Sequence, residues 1–230
     1  MAVNSLEGLR AARLGAYRWR SELSVAKKVA LALGMAGRSR SVRPALDAGL
    51  ALATSLQHPL TLAFFHSLAC FAMHIVRDAN GCREFAEQLT QVSARYDLPV
   101  TRAVGLFMLG AADALQGDVA PALKQMEPSY EATFGYGFLG VLPGVILADA
   151  LASADRNQEA LALVTRLLDK SSTPEVGPFI SELWRIRGEM VLRQSAINSQ
   201  EAERLYGTSL RTGRKCFSFE SRDTARANAS

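Results

Sequence analysis

Small side chains recur in this sequence at matched distances from turn residues, and that recurrence restricts the chain to stacked helical hairpins. The pattern is clearest from Leu98 to Leu123, where an apolar helical stretch containing Leu109-Gly110 breaks at Gly117-Asp118. A second helical stretch then opens, with Pro121 just inside its start and Ala122 beside it. Proline is tolerated there because a first-turn N–H has no intrahelical acceptor. With Gly37, Gly81, Gly117, Asp155 and Ile197 taken as turn origins, the residues five positions later are Val42, Ala86, Ala122, Ala160 and Ala202. Twelve positions after the same origins stand Gly49, Ser93, Ser129, Leu167 and Ser209. Both columns fall where neighbouring helices approach closely, so each origin marks one hairpin of a repeat.

The origins lie 36 to 44 residues apart, and Pro59, Pro99 and Pro178 stand where new hairpins begin. The spacing predicts helices over 21–36 and 41–56, 59–77 and 82–96, 99–116 and 119–133, 139–154 and 157–169, 179–194 and 199–213. Apolar residues follow helical spacing, as in Leu161, Val164, Leu167 and Leu168, so strands are not expected. The fold class is all-α, a right-handed α-solenoid of about five hairpins spanning 21–215. Residues 1–20 read as a basic segment with an imperfect helix that caps the array, and 216–230 as the truncated first helix of a further repeat.

With 49% apolar and 21% charged residues the chain can bury a continuous interior, unlike a disordered polymer. The net charge of +4 is uneven: residues 1–43 hold nine Arg or Lys against Glu7 and Glu22, which leaves about −3 on the remainder. A basic end can meet an acidic partner, nucleic acid or anionic lipid. No arginine-rich run with interleaved aromatics is present, so a solvated helix face is the preferred reading and nucleic-acid binding the lesser one. Cys70, Cys82 and Cys216 form no CxxC pair, which argues against a disulfide framework or zinc site and for a reducing cytoplasm. No signal-peptide core is seen, and apolar runs such as Val29–Met35 are far shorter than the ~20 residues that span a bilayer.

The columns Leu109-Gly110, Gly117-Asp118, Ala122-Leu123 and Ser129 resemble the tetratricopeptide repeat. The longer period, and the phrase running from Leu50 through His58-Pro59 to Phe64, resembles more narrowly the C-terminal repeat region of large bacterial signalling ATPases. Many of these carry a class III nucleotide cyclase domain at their N-terminus. The likeness covers about residues 20–229; Val42 and Leu167, and Asp155 and Ile197 at turns, depart from the repeat consensus. Such proteins hold their phosphate loop and metal-binding carboxylates upstream, and neither GxxxxGK[ST] nor a paired-aspartate segment occurs here. The resemblance implies a detached C-terminal part with a sensing or regulatory role.

Gly135, Gly137 and Gly140 form a literal GxGxxG, but a dinucleotide site requires a strand before the first glycine, and a repeat helix precedes it. The motif reads as a loop between hairpins. His66 and His74, eight apart, are about 80° out of line on an ideal helix and cannot share a metal. Cys70 lies four from His66, yet an apolar surrounding helix would keep the thiol protonated. No cofactor, metal or catalytic group is assigned.

Tetratricopeptide arrays bind mainly through their first helices. Ten residues before each origin stand Lys27, Phe71, Phe107, Val145 and Arg187, with Leu68 and Trp184 one turn away. These seven are the expected partner-binding residues: an apolar and aromatic groove flanked by cations, suited to an amphipathic or extended protein segment with acidic groups. The alternative is that they pack against neighbouring helices because the register is off by one. The expected function is therefore non-catalytic protein recognition. A reading from another class is an orphan fragment that self-associates through Phe217 and Phe219.

Overall fold

The computed structural model describes the backbone of residues 39–133, 138–170, 177–194 and 198–227, and the side chains of 39–132, 141–169, 179–193 and 198–213. Among the described residues every regular element is helical: α1 Ser39–Ser55, α2 Pro59–Ile75, α3 Ala79–Arg95, α4 Pro99–Leu115, α5 Val119–Thr133, α6 Phe138–Ser153, α7 Asn157–Lys170, α8 Gly177–Gln194 and α9 Ser199–Ala227. They divide into two units, Met1–Gln116 with α1–α4 and Gly117–Ser230 with α5–α9.

The cadence is set by the connectors. Helices α1 to α4 are each 17 residues long, and three residues link each to the next. The middle residue is always left-handed: Gln57 (φ 49°), Arg77 (60°), Asp97 (50°) and Gly117 (101°), with Asp155 (57°) after α6. At three of these the next amide returns to a carbonyl five residues back: Asp78 to Met73 (3.0 Å), Leu98 to Ser93 (2.9 Å) and Arg156 to Leu151 (2.9 Å). This Schellman closure satisfies carbonyls that the helix end leaves open. The last connector residue is also the N-cap of the following helix at Asp78, which accepts from the Gly81 N–H at 2.9 Å, and at Leu98, which has no side-chain cap bond. Turn, stop and start thus occupy three residues.

The turn before α3 is Arg77, not Gly81, which is buried in the first turn of α3. A Cβ on Gly81 would lie 2.7 Å from Met73 Sδ, so close packing rather than a turn requires glycine there. Displacement by four residues rotates a helical column by only about 40°, which keeps it on nearly the same face. Counted from Arg77, the small column holds Cys82 rather than Ala86, in step with Ala122 and Ala160, all at most 1% exposed. Gly37 and Ile197 lie outside the described residues.

Within unit 1, α4 lies close on α3: a Cβ on Gly105 would stand 2.6 Å from Thr90 Oγ1 and 3.3 Å from the Ala86 carbonyl. The buried hydroxyls of Ser93 and Thr101 bond at 2.8 Å across the same seam. Phe65, Phe71, Phe85, Phe107, Met73 and Met108 fill this interior. In unit 2 the core holds Met126, Tyr130, Leu167 and Leu183, and Gly144 lets α6 approach Leu167 and Tyr130. The helix expected to end at 213 instead continues unbroken to Ala227. No proline and no left-handed residue interrupts it, and Gly213 alone is too weak a breaker.

Candidate partner-binding site

The face each first helix packs against its neighbours decides which of its residues reach solvent. Phe71 and Phe107 are 0% exposed and Val145 is 6%, so all three are core residues; for Phe107 and Val145 this holds with Gly117 and Asp155 left-handed at the expected turn positions. Arg77, four residues before Gly81, is the true turn, and it places Ser67 rather than Phe71 in the column of Phe107. Leu68, Trp184 and Arg187 are half-buried and reachable. The Arg187 guanidinium lies 5.6 Å from the centroid of the Trp184 ring, a cation–π pair presenting one flat apolar face and one charge. Lys27, Phe217 and Phe219 lie outside the residues whose side chains are described.

The remaining candidates resolve into packing. His66 sits in the unit 1 core with its ring 5.9 Å from Phe65 and 6.0 Å from Phe85, and its Nδ1 has no hydrogen-bond partner. Burial pulls its pKa down to about 4, so it is neutral at pH 7. Burial raises the Cys70 thiol well above its ordinary value and pushes Cys82 up to about 12, keeping both protonated and unreactive. Among the described residues no group of three His, Cys, Asp or Glu is placed to hold a metal ion. Nor is any described helix long and apolar enough to cross a membrane. Gly135 and Gly137 lie outside the described residues, but they follow helix α5 rather than a strand, and Gly140 is already inside α6.

Unit 2 contains a groove that the first-helix pattern does not reveal. It has a volume of about 560 Å³ and lies between the second helices α5 and α7, floored by Leu147 and Leu151 of α6 together with Tyr130 and Leu163. Pro128 and Ala162 line it with short side chains that leave the space open. Its rim is charged: Glu127, Glu131, Glu159, Arg156 and Arg166. Arg156 spans the rim, with Nη1 2.5 Å from Glu127 and Nη2 2.6 Å from Glu159. The hydrogen bond to Glu159 raises the Arg156 pKa further, and the same bond lowers that of Glu159, so both stay charged. Burial pushes the Tyr130 phenol up to about 12, leaving it a neutral hydrogen-bonding group in the floor. The groove is thus an apolar trough with a charged lip of both signs. Sequence reasoning missed it because its walls are two stretches about 30 residues apart; the paired Glu127 and Glu131 opposite Arg156 and Glu159 were the available signal.

Two solved structures share the architecture over most of the chain. Both are of a Podosopora anserina putative kinesin light chain with nearly identical TPR-like repeats, one of them a single-substitution variant. The variant matches with a TM-score of 0.51 at 17% identity and the other with 0.50 at 16%, each over 85% of this chain and 96% of that one. The fold is a TPR-like helical repeat. No protein-family profile and no curated protein matches the sequence. The TPR-like fold agrees with the small-residue columns, whose buried Ala122 and Ala160 occupy the close-contact positions of such hairpins.

Proposed function

We propose that the chain is a non-catalytic protein-recognition array whose unit 2 groove takes a segment of a protein partner. The groove itself carries the reading: it is open, its floor is apolar, and its rim offers charges of both signs. Binding energy would come from one or two apolar anchors seated on Leu147, Leu151 and Leu163, with rim charges selecting among partners. Trp184 and Arg187 of α8 offer a second contact of the same chemical kind. The resemblance in Leu50–Phe64 and in the repeat period supports a narrower assignment, the regulatory or sensing end of a bacterial signalling ATPase or nucleotide-cyclase-like protein. A phosphate loop encoded immediately upstream in the native gene would support that assignment; flanking genes with no such domain would remove it.

The groove is tested by selecting peptides on the purified full chain and repeating capture with Ala162→Arg. Ala162 is exposed, so the new side chain fills the trough without disturbing the core. Capture should fall at least about tenfold, the loss of about 1.4 kcal/mol, while the circular-dichroism helix signal and melting temperature hold. Undiminished capture by Ala162→Arg would reject the groove as the site.

A further inference from the structure

The two ends of the unit 2 groove hold their charges differently. Helix α6 packs against both α5 and α7, and two contacts fix its order along the trough. A Cβ on Gly144 would stand 2.8 Å from the Tyr130 hydroxyl oxygen, so the first half of α6 lies at the Tyr130 end. The Arg156 N–H returns to the Leu151 carbonyl at 2.9 Å, so Leu151 lies at the Arg156 end. Leu147 stands between them on the floor.

At the Arg156 end the charges are already spoken for, because one guanidinium holds both Glu127 and Glu159. Glu131 is different. It follows Glu127 by one turn on the same wall, is exposed, and has no ion-pair partner among the described residues. The Arg166 guanidinium at this end lies beside the Tyr130 phenol of the floor. A cationic side chain arriving at Glu131 therefore forms an ion pair without breaking one. The apolar floor keeps water from one side of that pair, which makes it stronger than a fully exposed one. An anionic side chain would instead face three carboxylates against two guanidiniums, one of them shared.

The spacing along the trough is also set. Glu127 to Glu131 on the wall and Leu147 to Leu151 on the floor are each one helical turn, about 6 Å. Two residues of extended chain cover the same distance, at about 3.3 Å each. We propose that the segment held by the groove presents an apolar side chain to Leu151 and, one turn's length along the trough, a single Lys or Arg to Glu131, which makes Glu131 the residue that selects among segments. The proposal rests on the groove being the partner site and adds the chemistry of what it takes: an apolar residue and a cation two apart in an extended segment or four apart in a helical one.

A randomised peptide library captured on the full chain tests this. Peptides captured by the natural protein should be enriched in Lys or Arg at one position, two or four residues from an apolar one. Glu131→Lys should turn that preference to Asp or Glu, with the melting temperature unchanged because Glu131 is exposed. For one selected peptide, replacing the cation by norleucine should weaken binding about three- to tenfold on the natural protein and leave it unchanged on Glu131→Gln, the signature of a direct pair. A cation preference that survives Glu131→Lys, or an equal loss with norleucine on both proteins, would overturn the assignment to Glu131. Capture that falls with Ala162→Arg but shows no preference for a cation would overturn the proposal while leaving the groove as the partner site. Capture indifferent to Ala162→Arg would remove the groove itself, and this proposal with it.

Discussion

At the scale of single residues, His66 and Phe107 show how burial redirects side chains that look functional in sequence. His66 has an ordinary pKa of 6.5 when the chain is unfolded and about 4 in the fold, because the core disfavours the imidazolium. The unfolded state therefore binds the proton more readily. The stability contributed by neutral His66 is complete above pH 6.5 and is lost as pH falls from 6.5 towards 4, about 3 kcal/mol in all. Urea midpoints at pH 7.5 and 4.5 should diverge for the natural protein, and His66→Leu should shrink that divergence by about 2–3 kcal/mol. An unchanged divergence would place the acid sensitivity elsewhere. Phe107→Ala should cost about 3–5 kcal/mol of unfolding free energy, read by chemical denaturation, because it empties a fully buried site. Loss of partner capture in that variant would accordingly report unfolding and not contact.

At the scale of elements, the connectors and close-contact glycines govern the hairpins, and here sequence and structure agree in part. Gly117 was legible as a turn because glycine at φ 101° carries no Cβ penalty. Arg77 and Gln57 were not, because neither residue type favours a left-handed backbone, and Asp97, of a type that tolerates it as Asp155 does, has no glycine beside it to mark the turn. Gly117→Ala should lower stability by about 1 kcal/mol through backbone strain alone, since no atom lies within 4 Å of the added methyl. Gly105→Ala meets Thr90 Oγ1 at 2.6 Å and the Ala86 carbonyl at 3.3 Å, and of these only the threonine can rotate away. It should cost about 1–3 kcal/mol, with exchange accelerated in α3 and α4. A neutral result would mean that the α3–α4 seam opens more readily than its packing suggests. The 20-residue cadence was hidden for a related reason: Gly81, a packing glycine, lies one turn from Arg77 and mimics its phase.

At the scale of the whole molecule, the repeat was readable because each hairpin must bury its apolar stripe against the next, and that requirement leaves a periodic trace. A partner site leaves no such trace. The groove arises where α5 and α7 flank α6, and its rim charges are ordinary surface residues until the fold gathers them. Their sum nevertheless makes a prediction opposite to the acidic ligand expected from Lys27 and Arg187. Three carboxylates, Glu127, Glu131 and Glu159, face Arg156 and Arg166, and Arg156 is already held by two of them. Peptides selected by the groove should therefore combine apolar anchors with a net positive charge. Arg156→Ala releases Glu127 and Glu159 to an incoming cation, so capture of such a peptide should strengthen about three- to tenfold at low salt. The gain should vanish near 0.5 M salt, where the screening length falls to about 4 Å. Binding measured across a salt series separates the effects: a gain that persists at high salt would mean that Arg156 obstructs the trough sterically, and weakened capture would mean that it contacts the partner directly.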